Sequence, residues 1–211
     1  MENELSRRKF LNTAAAVAAL SAIPFNYGFK GFSSAVKGAK PNSKFGCVQI
    51  GAITYSWRSM PSSPKDIISY CLQAGISDLE LMGNIAEDYL GLPQGPGRPP
   101  RGVAQTKEQK AEYEKAMAMT TEAQRKWRLS VPMKKYSDLR KLFNDEGINI
   151  HIVKFSPANW TDEEIDYAFK AAKAMGAKGV TNEIGEEACK RLGPFAEKHK
   201  MYAIFHQHMQ P

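Results

Sequence analysis

His206 and His208 stand two residues apart at the end of the apolar run Ala203-Ile204-Phe205, close to the last residue of a 211-residue sequence. On a β-strand, side chains at i and i+2 share one face, so the two imidazoles point the same way. That spacing suits a single divalent cation, because neutral imidazole is a ligand for manganese, zinc, iron or cobalt. Glu183 closes the run Thr181-Asn182-Glu183, and Glu80 sits within Leu79-Glu80-Leu81-Met82. An ionised carboxylate buried without a partner costs several kcal/mol, so each must face a cation, an arginine or solvent. Carboxylates beside a metal-held carbonyl are the equipment for removing a proton from carbon. The metal stabilises the enediolate as a Lewis acid and the carboxylate acts as base. Plainer roles compete: either histidine bonded inside the fold, Glu183 as a solvated loop residue, and Glu80 as a helix cap or the partner of Lys154.

Such a site needs strands that end on a common rim. The mostly apolar run Gly46 to Trp57 reads as a first strand. Ser63 then caps a helix with Pro64 at its first position, Ile67, Ile68, Cys71 and Leu72 at helical spacing and Gly75 as its stop. Ile76 to Met82 is the next strand, and the same alternation returns later. Leu139, Leu142 and Phe143 mark a helix ended by Gly147, and Ile148 to Phe155 is a strand. Thr161 with Glu164 forms a capping box for a helix with stripe Ile165, Ala168, Phe169, Ala172 and Met175. Ala177 to Ile184 is a fourth strand, residues 186–199 read as a helix broken at Gly193-Pro194, and Met201 to His206 is a fifth strand. Strand, helix, strand in repetition implies a parallel sheet. The exception is residues 83–131, where a Pro/Gly segment from Leu92 to Pro100 precedes a charged helix from Lys107 to Trp127. An insertion of that length reads as a lid over the mouth or a mobile surface excursion.

Two patterns favour a barrel over an open doubly wound sheet. No glycine-rich phosphate loop follows any strand, the first turn being Ser56-Trp57-Arg58-Ser59-Met60-Pro61. Polar residues also cap successive strands: Tyr55 and Ser56, Glu80, Lys154, Glu183, then His206 and His208. His151, mid-strand among apolar neighbours, reads as a core histidine, and His199 as helix surface. Trp57 and Trp160 follow strand ends, where they either pack in loops or stack on a sugar ring.

Ser6-Arg7-Arg8-Lys9-Phe10-Leu11, followed by a 13-residue apolar run from Leu11 to Ile23, looks like a twin-arginine export leader, with cleavage expected after Ala35. The run is too short for a permanent span of ~30 Å of hydrocarbon, so the expected location is periplasmic, with no stable membrane span. Removing residues 1–35 takes away four bases and two acids and lowers the net charge from +7 to about +5. No arginine stripe interleaved with aromatics argues for nucleic acid. Cys47, Cys71 and Cys189 are odd in number and far apart, so they read as free thiols, at least two of them buried.

The first strand with Thr54-Tyr55-Ser56, the strand end Leu79-Glu80-Leu81-Met82-Gly83 and the strand end Phe205-His206-Gln207-His208 resemble the xylose isomerase-like barrel superfamily. The resemblance covers most of residues 45–211 and includes exported bacterial members described as sugar phosphate isomerases or epimerases. It implies an α/β fold, a partial (β/α)8 TIM barrel with about five βα units from residue 36 to residue 211. It further implies a small-molecule carbohydrate or sugar phosphate as partner and one divalent cation (manganese, zinc, magnesium, cobalt or iron). His206 and His208 are the expected metal ligands and Glu183 and Glu80 the expected catalytic carboxylates. Family members usually carry a glutamate as the strand-five ligand, where this sequence has His206. Alternatives are a non-catalytic carbohydrate-binding barrel and a metal-dependent hydrolase or lyase of the same fold. Since a full barrel takes about 250 residues, and 176 remain after residue 35, the sequence reads as the front portion of a longer product. Expressed alone, that portion is expected to be inactive and poorly soluble or loosely packed.

Overall fold

A computed structural model describes residues 40–100 and 102–207; the expected leader and His208 lie outside the described residues. The chain opens with a two-residue-per-strand antiparallel hairpin, β1 (Lys44–Phe45) and β2 (Val48–Gln49). β3 (Ala52–Ile53) follows, with a 3-10 turn at Thr54–Trp57. This divides the single strand expected from Gly46 to Trp57. Gly46 takes φ +58°, which reverses the chain. At the other end Met82 N–H donates to Thr54 Oγ1 at 2.9 Å, so a side chain takes over as acceptor and the ladder stops at Ile53. Ser43 staples the hairpin down: its hydroxyl donates to Ile50 O at 2.6 Å and accepts from Ser77 N–H at 2.9 Å.

The remaining elements are α1 (Pro64–Ala74), β4 (Asp78–Met82), α2 (Gly83–Leu90), α3 (Lys107–Ser130), α4 (Met133–Asp145), β5 (Asn149–Lys154), α5 (Asp162–Ala174), β6 (Gly179–Glu183), α6 (Glu186–His199) and β7 (Tyr202–His206). Local chemistry sets their starts. Ser63 with Asp66, Thr106 with Gln109 and Thr161 with Glu164 each form a reciprocal capping box at the N-termini of α1, α3 and α5. Gly75 ends α1 in the left-handed region, at φ 69°.

β3 to β7 form one sheet in the order β3-β4-β5-β6-β7, every pair parallel. Each crossover therefore reaches the next strand in the same direction, and no switch point reverses the order as in a doubly wound sheet. This is the winding of a (β/α)8 barrel, present as five consecutive strands. Neighbouring helices pack side by side, α4 on α5 and α5 on α6. Toward them the strands direct Leu79, Leu81, Ile150, Val153 and Val180, all fully buried against Ile67, Cys71, Phe143, Ile165, Phe169 and Leu192. Burial pushes the Cys71 thiol up to about 11. Cys47 and Cys189 are exposed, contrary to the expectation for at least one of them. Cys47 sits in the hairpin turn, and Cys189 lies off the buried stripe Ala188, Leu192, Ala196 and His199 of α6.

That stripe also explains why α6 runs unbroken through Gly193-Pro194. The proline removes the N–H that would reach Lys190 O, and both residues are exposed, so that carbonyl lies on the solvent side of the helix. His199 is buried rather than on the helix surface. Its ring stacks on Phe169, with centroids 5.7 Å apart and planes 7° off parallel, and Nε2 lies 2.7 Å from Asp166 Oδ1. Among the described residues no helix is long and apolar enough to cross a membrane.

Residues 83–100 and 102–131 form an arm. The Pro/Gly segment lies along α3, where Gln124 Nε2 donates to Pro93 O at 2.9 Å. The arm is fixed at Arg128, whose side chain is only 9% exposed. Arg128 Nε and Nη2 donate to Glu87 Oε1 and Oε2 at 2.8 and 3.2 Å, and Nη1 donates to Glu164 Oε1 at 3.0 Å. The guanidinium also lies 3.9 Å over the Trp160 ring. Burial by itself works against a guanidinium charge, but the hydrogen bonds to Glu87 and Glu164 and the Glu87 charge together hold the Arg128 pKa above its usual value. Glu87 belongs to α2 at the start of the arm itself, and the contacts with Glu164 of α5 and with Trp160 in the loop before it fix the end of the arm on the helix layer.

Candidate functional site

Side chains that alternate away from the helices include Glu80 on β4, Lys154 on β5, Glu183 on β6 and His206 on β7. The ladders align them toward the strand ends, pairing Met82 with Lys154 and Glu183 with His206. His206 Nε2 lies 3.0 Å from Glu80 Oε1 and 3.3 Å from Oε2. Three strand steps separate β4 from β7, about 14 Å in a flat sheet at about 4.8 Å per step. A direct contact across that interval requires the sheet to curl, with both side chains on its concave side. The polar ends of successive strands thus converge as a barrel mouth demands.

Lys154 is the centre of the cluster. Its ammonium makes a very short ion pair with Glu183 and lies 3.1 Å from His206 Nδ1. An ammonium donates and cannot accept, so Nδ1 is the acceptor and the ring proton of a neutral His206 is placed on Nε2, facing Glu80. The result is a chain of contacts, Glu80 to His206 to Lys154 to Glu183, across four strands. Access differs along it. Lys154 and Glu80 side chains are 13% and 16% exposed, whereas Glu183 is 49% exposed. Glu183 is thus the carboxylate that meets solvent and any ligand in the mouth. It also borders a rim groove with Asn159, Asn182 and Arg191.

β5 is held under this cluster by aromatic packing. Phe155, directly after Lys154, lies 6.2 Å from Trp160 and 6.0 Å from Tyr167, centroid to centroid. Tyr167 donates to Glu87 Oε1 at 2.9 Å, which joins this packing to the Arg128 cluster. Burial, reinforced by the Glu87 charge, raises the Tyr167 pKa far above the usual phenol value. Trp160 is therefore part of a packed cluster, capped by Arg128, and Trp57 packs on Tyr70 with centroids 5.7 Å apart.

Three expected site residues, Glu80, Glu183 and His206, come together, and His208 lies outside the described residues. His151 is not a core histidine. The β4–β5 register shifts between Leu79 and Glu80, whose partners are Ile150 and Ile152, so His151 is left over in a bulge. Its side chain is 37% exposed, with Nδ1 3.5 Å from Asp78 Oδ2. The sequence offers Lys154 as a polar strand end and as a partner for Glu80, and the structure pairs it with Glu183 and His206. The available signal was a lysine closing the apolar stretch Ile150 to Val153, which nothing local explains.

For the divalent cation the donors at hand are the Glu80 carboxylate and the His206 imidazole. They fit as a carboxylate–histidine pair, since a metal taking the place of the Nε2 proton would be shared by both. Among the described residues no three His, Cys, Asp or Glu side chains assemble as a metal site.

No protein-family model and no curated protein matches this sequence. Solved structures with similar folds include an uncharacterized protein from Parabacteroides distasonis, 18% identical with a TM-score of 0.46, aligned over 76% of this chain and 53% of that one. Another is the "probable 3-DHS dehydratase AsbF involved in the petrobactin synthesis" of Bacillus anthracis, 14% identical with a TM-score of 0.44, over 75% of this chain and 52% of that one. A third, "QR15, an Aldolase", is 12% identical with a TM-score of 0.32, over 74% and 77%. The chain spans about half the length of the first two. The barrel assignment here rests on strand order and on the contact between β4 and β7.

Proposed function

We propose that this chain carries part of a sugar or sugar phosphate isomerase or epimerase site of the xylose isomerase-like kind, acting by proton abstraction next to a carbonyl. The observation that carries the reading is the convergence of Glu80, Lys154, Glu183 and His206 on the concave strand ends. Glu183 is the base: it is half exposed, stands at the mouth and is held in place by Lys154. It takes the proton from the carbon beside the carbonyl and returns it to the former carbonyl carbon for isomerisation, while the hydroxyl proton passes from one oxygen of the enediol to the other. For epimerisation, Glu183 keeps that proton and a second, protonated group on the opposite face delivers its own to the same carbon. Glu80 fixes the orientation of His206. A divalent cation held by Glu80 and His206 would supply Lewis-acid stabilisation of the enediolate. Export to the periplasm by the leader is part of the same proposal.

The test is exchange with solvent. The protein in its full-length expressed form is incubated in D2O with a panel of pentoses, hexoses and their phosphates, and deuterium at C-1 and C-2 is followed by NMR. The reading expects enzyme-dependent incorporation for at least one sugar, and Glu183→Gln lowers its rate by about 10² to 10⁴, the range for loss of a general base. Sugar binding without any exchange would replace the isomerase reading by a binding barrel. Unchanged exchange in Glu183→Gln would move the base elsewhere.

A further inference from the structure

We infer that Lys154 is a substrate-contacting residue, whose ammonium donates a hydrogen bond to the carbonyl or enediolate oxygen of a hydroxy-carbonyl compound bound at the concave mouth. The inference rests on the reading of the site as a place of proton abstraction and deepens it by assigning a residue that binds charge. An ammonium has three N–H donors. Among the described residues Lys154 spends one on Glu183 and one on His206 Nδ1. The third is left for a ligand in the mouth, and the side chain, 13% exposed, is largely screened from bulk water. A charge-assisted hydrogen bond in such a site is stronger than one in water.

The charges balance through the step. Before transfer, the ammonium is paired with the Glu183 carboxylate and the substrate carbonyl is neutral. As Glu183 takes the proton, the electron pair of the broken C–H bond forms the new C=C bond, and the carbonyl π pair moves onto oxygen. Glu183 becomes neutral as the oxygen becomes negative, so Lys154 keeps one anionic partner throughout and the net charge of the cluster does not change. A donor already positioned for the developing oxyanion needs no reorganisation during the reaction. A purely structural role offers a poorer account, because buried ion pairs contribute little net stability over packed apolar side chains.

The experiment compares binding of neutral and anionic probes. Xylitol, arabinitol and sorbitol are titrated calorimetrically into the full chain alongside the matching aldonates, whose carboxylates carry the negative oxygen that an enediolate develops. The expected result is that at least one aldonate binds about tenfold or more tightly than its polyol, about 1.4 kcal/mol. The preference disappears in Lys154→Met and survives in Lys154→Arg. If Lys154→Met does not reproduce the parent circular dichroism, Lys154→Gln is used and the same outcomes decide. An aldonate preference retained in the neutral variant, or absent from the parent while polyols bind, overturns the Lys154 assignment and leaves Glu183 as base intact. No binding of any polyol or aldonate overturns both.

Discussion

Arg128→Met is expected to destabilise this fold strongly. The guanidinium serves two carboxylates, Glu87 and Glu164, whose side chains are 5% and 8% exposed. Its removal leaves both of them buried without their cation. Breaking a buried pair in this way costs about 3–5 kcal/mol, because the remaining charge is uncompensated. For a protein of this size each kcal/mol moves the melting temperature by about 2–4 °C, so the expected loss is about 6–20 °C. The assay is thermal and urea denaturation at low protein concentration, read by far-ultraviolet circular dichroism and tryptophan fluorescence. Trp160 lies under the guanidinium and reports locally. Adding Glu87→Gln to Arg128→Met removes one stranded charge, so the double variant should be more stable than Arg128→Met alone. A shift of less than about 2 °C for Arg128→Met, under 1 kcal/mol on the same conversion, would refute the claim that this cluster anchors the arm.

Gly179→Ala should destabilise by about 1–3 kcal/mol, as overpacking in a closed site does, measured as a lowered urea midpoint. An added Cβ would lie 2.7 Å from both Tyr202 O and Ile204 Cδ1 and would push β7, with His206, away from β6. Acid should weaken the α5–α6 contact through Asp166. Burial alone raises that carboxyl, but bonds from Lys170, Lys198 and His199 outweigh it and hold its pKa below the ordinary value. With the folded pKa depressed, the unfolded chain binds more protons at low pH. The Asp166 contribution is therefore complete above the ordinary carboxylate pKa near 4, and fades as pH falls below it toward the folded value. Asp166→Asn should flatten that part of a stability–pH profile; an unchanged acid limb would count against the assignment.

Most of the strand–helix order is readable from short-range signals. Capping boxes at Ser63 and Thr161, the glycine stop at Gly75 and apolar stripes of period 3.6 act within one or two turns of the residues that carry them. The start of the sheet is less legible, because the run from Gly46 to Trp57 is apolar whether it forms one strand or a hairpin and a strand. Its division depends on Ser43, Ser77 and Thr54 meeting backbone groups distant in sequence. Pro194 misleads for a related reason. The local penalty is real, yet it falls on the exposed side of a helix whose opposite face is buried.

The chemical residues divide in the same way. That Glu80, Glu183 and His206 belong to strand ends follows from the sequence, as does the parallel character of the sheet, because alternation and spacing are properties of neighbouring residues. That they touch, that Lys154 stands between them, and that Arg128 locks the arm were decided by tertiary structure alone. Glu80 and His206 are 126 positions apart. Contacts over such separations depend on how far the sheet curls, and curvature is a collective outcome of strand twist and helix packing that no local pattern encodes.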